Sequence, residues 1–124
     1  MKIISPKFHS YIDYIVSTIL ILFHWIFGYE LKEAASWLPL ILGVTSLTYS
    51  ILTRYRHEHF GIIPFKTHLA LDVVVGIILI GGPWLVESGD RPPYVQSIIG
   101  VLVLLVVAMT KPLAYGRVNP ETGN

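Results

Sequence analysis

The sequence contains no cysteine. That removes disulfides, thiolate metal sites and cysteine nucleophiles from consideration and leaves the redox compartment unmarked. Charge is scarce too: Asp, Glu, Lys and Arg make up 14% of the chain, where about 25% is usual for a soluble domain. The net charge is only +1, so no nucleic-acid partner is expected. A glycine-rich phosphate loop, a Gly-x-Ser-x-Gly elbow and the His-Glu-x-x-His zinc signature are all missing. The loops are short, about nine, fourteen and seven residues, and leave little material for a soluble active site. No catalytic residue and no enzyme activity are expected.

Apolar residues, by contrast, make up 53% of the 124-residue chain, and the mean hydropathy is +0.63. A soluble fold of this size cannot hide so much apolar surface. Four apolar blocks stand out, at about 9–27, 37–53, 68–86 and 94–110. At about 1.5 Å per residue, blocks of seventeen to nineteen residues reach roughly 25–28 Å, close to the roughly 30 Å hydrocarbon core of a bilayer. Lipid offers no partner to a free amide, so each block should be helical despite its β-branched Val and Ile. A signal peptide is the rival reading of the first block, since Lys2 and Lys7 precede it. Asp13 within the run and the lack of a small-x-small cleavage site argue for a retained helix.

Orientation follows from the basic residues. Lys2, Lys7, Arg54, Arg56, Lys66, Lys111 and Arg117 fall on one side, against Lys32 and Arg91 on the other. Both termini are therefore expected in the cytoplasm. Trp25, Trp37 and Trp84 should then anchor the outer headgroup level, and Tyr11, Tyr14, Tyr49 and Tyr55 the inner one.

The first half of the chain repeats in the second. Residues 3–27 align without gaps on residues 62–86, with ten of twenty-five positions identical, among them Lys7, His9, Asp13 and Trp25 with Lys66, His68, Asp72 and Trp84. The second and fourth blocks align at an offset of 57, through Ile41, Gly43, Val44, Leu47 and Thr53 with Ile98, Gly100, Val101, Leu104 and Thr110. The unit is a helical hairpin used twice. Because each hairpin holds an even number of spans, the two copies should be parallel and related by an axis along the membrane normal. The expected fold is an all-α, four-transmembrane-helix bundle of two tandem parallel two-helix repeats, about 3–54 and 62–111. It forms one membrane domain, 1–112, followed by a polar tail, 113–124. Gly43 and Gly100, with Ser17 and Gly76 on the first and third helices, are candidates for close helix packing.

On these residues, His9, Asp13 and Trp25, then His68, Asp72, Pro83 and Trp84, with Gly43 and Gly100, the chain resembles the Ser-Pro-Trp (SPW) repeat family of small integral membrane proteins. The resemblance covers roughly residues 4–112. The naming tripeptide is incomplete in both copies, which read Phe23-His24-Trp25 and Gly82-Pro83-Trp84. The resemblance implies the two-helix topology and supplies no mechanism.

His9 and Asp13 share a helix face, as do His68 and Asp72, because residues four apart lie one turn above each other. A carboxylate in a spanning helix is costly, so it needs protein, water or a partner. If the first and third helices meet near the axis, His9 reaches Asp72 and His68 reaches Asp13. This crossed pairing, an inter-repeat tie, is the leading expectation, and no cofactor is then needed. The alternatives are axial ligation of a b-type haem by His9 and His68, a metal held by two imidazoles and two carboxylates, and a proton or ion path. The last is thinly supplied, with Ser17, Thr18, Thr45, Ser46 and His24 along the helices. His24, where the second copy has Pro83, reads as an interfacial histidine. His57 and His59 in "RYRHEHF" read as a solvated loop. The whole suggests an inner-membrane structural or accessory component whose surroundings are the bilayer and a membrane-protein partner or a second copy.

Overall fold

Ser5 opens the first helix. Its Oγ accepts from the Phe8 backbone N–H at 3.2 Å, and Pro6 sits at the first helical position, where a missing N–H is harmless. From there α1 runs Pro6–Ile21, α2 Phe23–Phe27, α3 Ala34–Leu52, α4 Phe65–Leu85 and α5 Tyr94–Met109. This computed structural model describes residues 2–31, 33–53, 61–86 and 92–111. The basic residues Lys32, Arg54, Arg56, Arg91 and Arg117, Tyr55, the His57–His59 loop and the tail lie outside the described residues.

The fold is all-α, with no strand among the described residues. The first apolar block differs from expectation: it is two helices, broken at Leu22, whose ψ of 7° leaves the α basin. The break turns Phe23 fully inward against Tyr29 and Ala35 and leaves Leu22 outside. Burying that ring on a second cluster offsets the lost helical register. Helix α2 then stops at Gly28, whose φ of 74° is the left-handed conformation that glycine adopts without strain.

Two prolines that should interrupt helices do not. Pro39 lies inside α3 and cannot donate to Ala35 O; Gln96 Nε2 from α5 donates to that oxygen at 2.8 Å instead. Near Pro83 in α4, Ser97 Oγ donates to Ile80 O at 2.7 Å. Side chains of α5 thus serve exposed carbonyls of both proline-bearing helices.

Helix α1 packs on α3, α4 on α5, and α3 on α4. The hairpin seams close over small residues. A Cβ on Gly43 would lie 2.9 Å from Ile21 N, and one on Gly100 would lie 2.6 Å from Gly76 O and 3.0 Å from Ile80 N. Ser17, aligned with Gly76, meets Ser46 across its seam with 2.7 Å between the hydroxyls. Matching pins join the hairpins at one end. Ile3 N and Ile4 N donate to Met109 O at 2.8 and 2.9 Å, and Ile62 N and Ile63 N donate to Leu52 O at 2.8 and 3.0 Å.

The distribution of polarity is inverted relative to a soluble protein. Leu20, Leu42, Val75 and Leu79 form a slender core, while Ile15, Ile41, Ile77, Ile98 and Leu105 stand half-exposed. His9, His68, Asp72, Thr53, Gln96 and Thr110 are buried. Water would not tolerate that arrangement on such a scale, and hydrocarbon favours it. Two helices, Ala34–Leu52 and Phe65–Leu85, are long and apolar enough to cross a membrane; Tyr94–Met109 is apolar but only 16 residues long. The first block is divided between the 16-residue α1 and the short α2 beyond its break.

Candidate functional site

The helix faces carrying His9, Asp13, His68 and Asp72 converge between α1 and α4. His9 Nε2 lies 2.9 Å from Asp72 Oδ2, and His68 Nε2 lies 2.6 Å from Asp13 Oδ2. Each histidine also contacts the aspartate of its own helix at 3.1 Å. The two imidazoles meet edge to face, centroids 5.4 Å apart, with Phe65 5.5 Å from the His9 ring and 5.6 Å from that of His68. Exposure is 1% for His9, 0% for His68 and 5% for Asp72, so neither ring is wetted.

The far side of each imidazole determines its tautomer. Thr110 Oγ1 donates its one proton to Val106 O at 2.5 Å, and the same oxygen lies 2.8 Å from His9 Nδ1. With that proton committed, Nδ1 must donate to the hydroxyl. Thr53 repeats the arrangement, donating to Tyr49 O at 2.5 Å and accepting from His68 Nδ1 at 2.8 Å. Both rings therefore carry a proton on Nδ1 and aim Nε2 at the carboxylates. With Nε2 protonated, the cluster is two imidazoliums on two carboxylates, a neutral set of charge-assisted bonds.

Three members of the site were not legible as such. Tyr49, expected at the inner headgroup level, is instead buried and donates to Asp72 Oδ1 at 2.5 Å. A phenol among apolar neighbours reads as a belt residue until its partner is known. Thr53 and Thr110 carried a usable signal, being aligned at the ends of the second and fourth blocks.

The remaining predicted positions are placed as follows. Trp25, Trp37 and Trp84 are exposed at 72%, 50% and 63%, and Trp84 Nε1 donates to Ser97 Oγ at 2.8 Å. Tyr11 is exposed at 53%. His24 departs from its interfacial reading: it is buried against Trp25, and neither ring nitrogen has a hydrogen-bond partner among the described residues. Beyond the Ser17–Ser46 pair, the next turns present Leu20, Leu42 and Leu79, all buried, while Thr18 is occupied with Tyr14 O of its own helix.

The geometry also bears on a cofactor. A bis-histidine haem needs a flat slab between two opposed Nε2 atoms, and here carboxylates stand directly on both. The residues do not fit that group. A single cation fits better: one ring nitrogen of each histidine and one oxygen of each carboxylate lie within 4.8 Å of one another.

No curated protein and no solved structure matches the chain. The SPW repeat domain matches residues 7–110, from the first lysine of α1 to the threonine that holds His9. Spanning both hairpins and all four residues of the buried cluster, that match assigns the chain to the SPW repeat domain family.

Proposed function

We propose that the protein is a small polytopic inner-membrane component without catalytic activity, a single domain over residues 1–112. Its two tandem hairpins form a four-span bundle with both termini in the cytoplasm. The crossed His9–Asp72 and His68–Asp13 contacts carry this reading. They set each aspartate of the cluster against a histidine of the other hairpin, which is how a membrane interior tolerates such groups. The exposed apolar faces of α1, α3, α4 and α5 suit lipid, a membrane-protein partner or a second copy.

The native chain has no cysteine, so single introduced thiols report topology cleanly. A membrane-impermeant maleimide is expected to label Glu30→Cys, an exposed position, on intact cells and to label Lys2→Cys and Lys111→Cys only after lysis. Labelling of Lys2→Cys on intact cells would reverse the orientation, and labelling of all three would remove the membrane reading.

A second reading is favoured by the threonine-held tautomers: the protein as a binder of a divalent transition cation. Two Nε2 donors and two carboxylates suit zinc, and metal-bound imidazoles characteristically donate their other N–H to a neighbour. One cation in place of two Nε2 protons keeps the cluster neutral. Chelator-treated protein is expected to take up about one zinc per chain, with uptake lost in His9→Ala. Thr110→Val, which removes only the acceptor of His9 Nδ1–H, should weaken binding about 10–100-fold. Absence of stoichiometric zinc would remove this reading and leave the ion-paired tie in place.

A further inference from the structure

The matching contacts of the two halves stop at one seam. Helix α3 packs on α4, but the equivalent pair, α5 and α1, does not close in the same way. Between them lies a cavity of about 320 Å³, partly open at the bundle surface, where Leu102 is half-exposed. The sequence explains the opening. At the offset of 57, Tyr49 aligns with Val106 and Ser46 with Val103, so α5 lacks the phenol with which α3 reaches Asp72 of α4 and presents valines instead. Val103 and Val106 of α5 and Val16 and Ser17 of α1 line it on two sides, Ser46 and Tyr49 of α3 line its inner side, and His9, Asp13 and Asp72 border it at the polar end.

The missing phenol leaves a chemical mark on Asp13. At Asp72, Tyr49 takes Oδ1 and both histidines crowd Oδ2. At Asp13, among the described residues, Oδ1 has no tyrosine and receives only the 3.1 Å contact from His9, while the side chain stays 13% exposed against 7% for Asp72. An ionised carboxylate accepts about four hydrogen bonds, so Asp13 retains capacity on the side that faces the cavity. The wall offers acceptors and no spare donor: Ser46 donates to Gly43 O at 3.3 Å, and Ser17 then donates to Ser46.

We propose that this cleft binds a membrane-phase amphiphile with a neutral hydroxyl head, a phenol or alcohol, which donates to Asp13 Oδ1 in the position that Tyr49 occupies at Asp72. The apolar body lies between Val16 and Val106 and leaves towards the lipid past Leu102. Esters and ketones bring only acceptors to a wall of acceptors and are excluded. A volume of about 320 Å³ is at the small end of ligand sites and suits one ring and part of a chain.

The test uses the full chain in detergent with two probes that share a body, 4-octylphenol and 4-octylanisole. The phenol is expected to bind at one per chain and raise the melting temperature. The ether, unable to donate, should bind about tenfold or more weakly, the scale of a lost hydrogen bond to a charged group. Val106→Tyr supplies the absent phenol from the protein itself and should abolish phenol binding without lowering stability. If that variant does not fold, Val103→Leu, which narrows the same wall, should weaken it. Equal binding of phenol and ether would mean filling by annular lipid only and would overturn the proposal, as would binding unchanged in the folded wall variant. Tighter binding of octylamine than of octylphenol would overturn the neutral head. None of these outcomes touches the crossed pairs, so the tie between hairpins is judged separately.

Discussion

Asp72→Ala should destabilise the detergent-solubilised protein by about 3–5 kcal/mol, the cost of removing one partner from a buried charged pair. The carboxylate receives His9 and His68 on one oxygen and Tyr49 on the other, at 5% residue exposure. Its removal leaves two Nε2 groups with Asp13 alone and takes from the buried Tyr49 hydroxyl the carboxylate it donates to, and lost buried hydrogen bonds are costly in their own right. Asp13→Ala should cost less, because Asp13 is more exposed and has no tyrosine. Thermal unfolding of both variants, followed by circular dichroism in one detergent, gives the ranking. Adding Tyr49→Phe to Asp72→Ala should cost less than the two single losses together, since both remove the same hydrogen bond; full additivity would break the link between these residues. Wild-type melting in Asp72→Ala would sink the inter-hairpin tie altogether.

The second large effect is expected from one methyl group. Gly100→Ala would set a Cβ 2.6 Å from Gly76 O and 3.0 Å from Ile80 N, both backbone atoms that no rotamer change can move. Helices α4 and α5 must then separate, and overpacking of this kind costs about 1–3 kcal/mol or somewhat more. The loss should spread to Thr110, which sits one residue past the end of α5 and holds His9. Gly81→Ala is the control, because a Cβ there meets nothing within 4 Å among the described residues. Its melting temperature should be unchanged or slightly higher, given the gain in helix propensity. If both alanines behave alike, α4 and α5 are not in close backbone contact.

Much of the architecture was legible because lipid simplifies the problem. Apolar length set the helical blocks, and identical Lys, His, Asp and Trp at one offset placed two polar pairs at one depth. The crossing of His9 and His68 to opposite aspartates follows from that symmetry. What was not legible depends on local competition. Pro39 and Pro83 look like breaks, yet Gln96 and Ser97 on another helix sustain the backbone beside them. Leu22 looks innocuous, yet the helix breaks there because Phe23 gains a core position. Tyr49 reads as a belt residue because periodicity carries no record of the carboxylate it meets. The cavity was hidden for the opposite reason. Val103 and Val106 are ordinary in an apolar helix and become informative only when set beside Ser46 and Tyr49.

The 3.1 Å contacts of His9 with Asp13 and of His68 with Asp72 are the weaker members of the cluster once the protein is folded. During biosynthesis they are the first available. Asp72 lies 63 residues after His9, and Thr110 lies 101 residues after it, so α1 is synthesised well before these partners exist. A lone carboxylate at that stage would resist partitioning into the bilayer. A histidine one turn away gives each helix an internal counter-charge to carry through insertion. The i, i+4 spacing thus gives each carboxylate a counter-charge that depends on its own helix alone, beside the one that the other hairpin supplies.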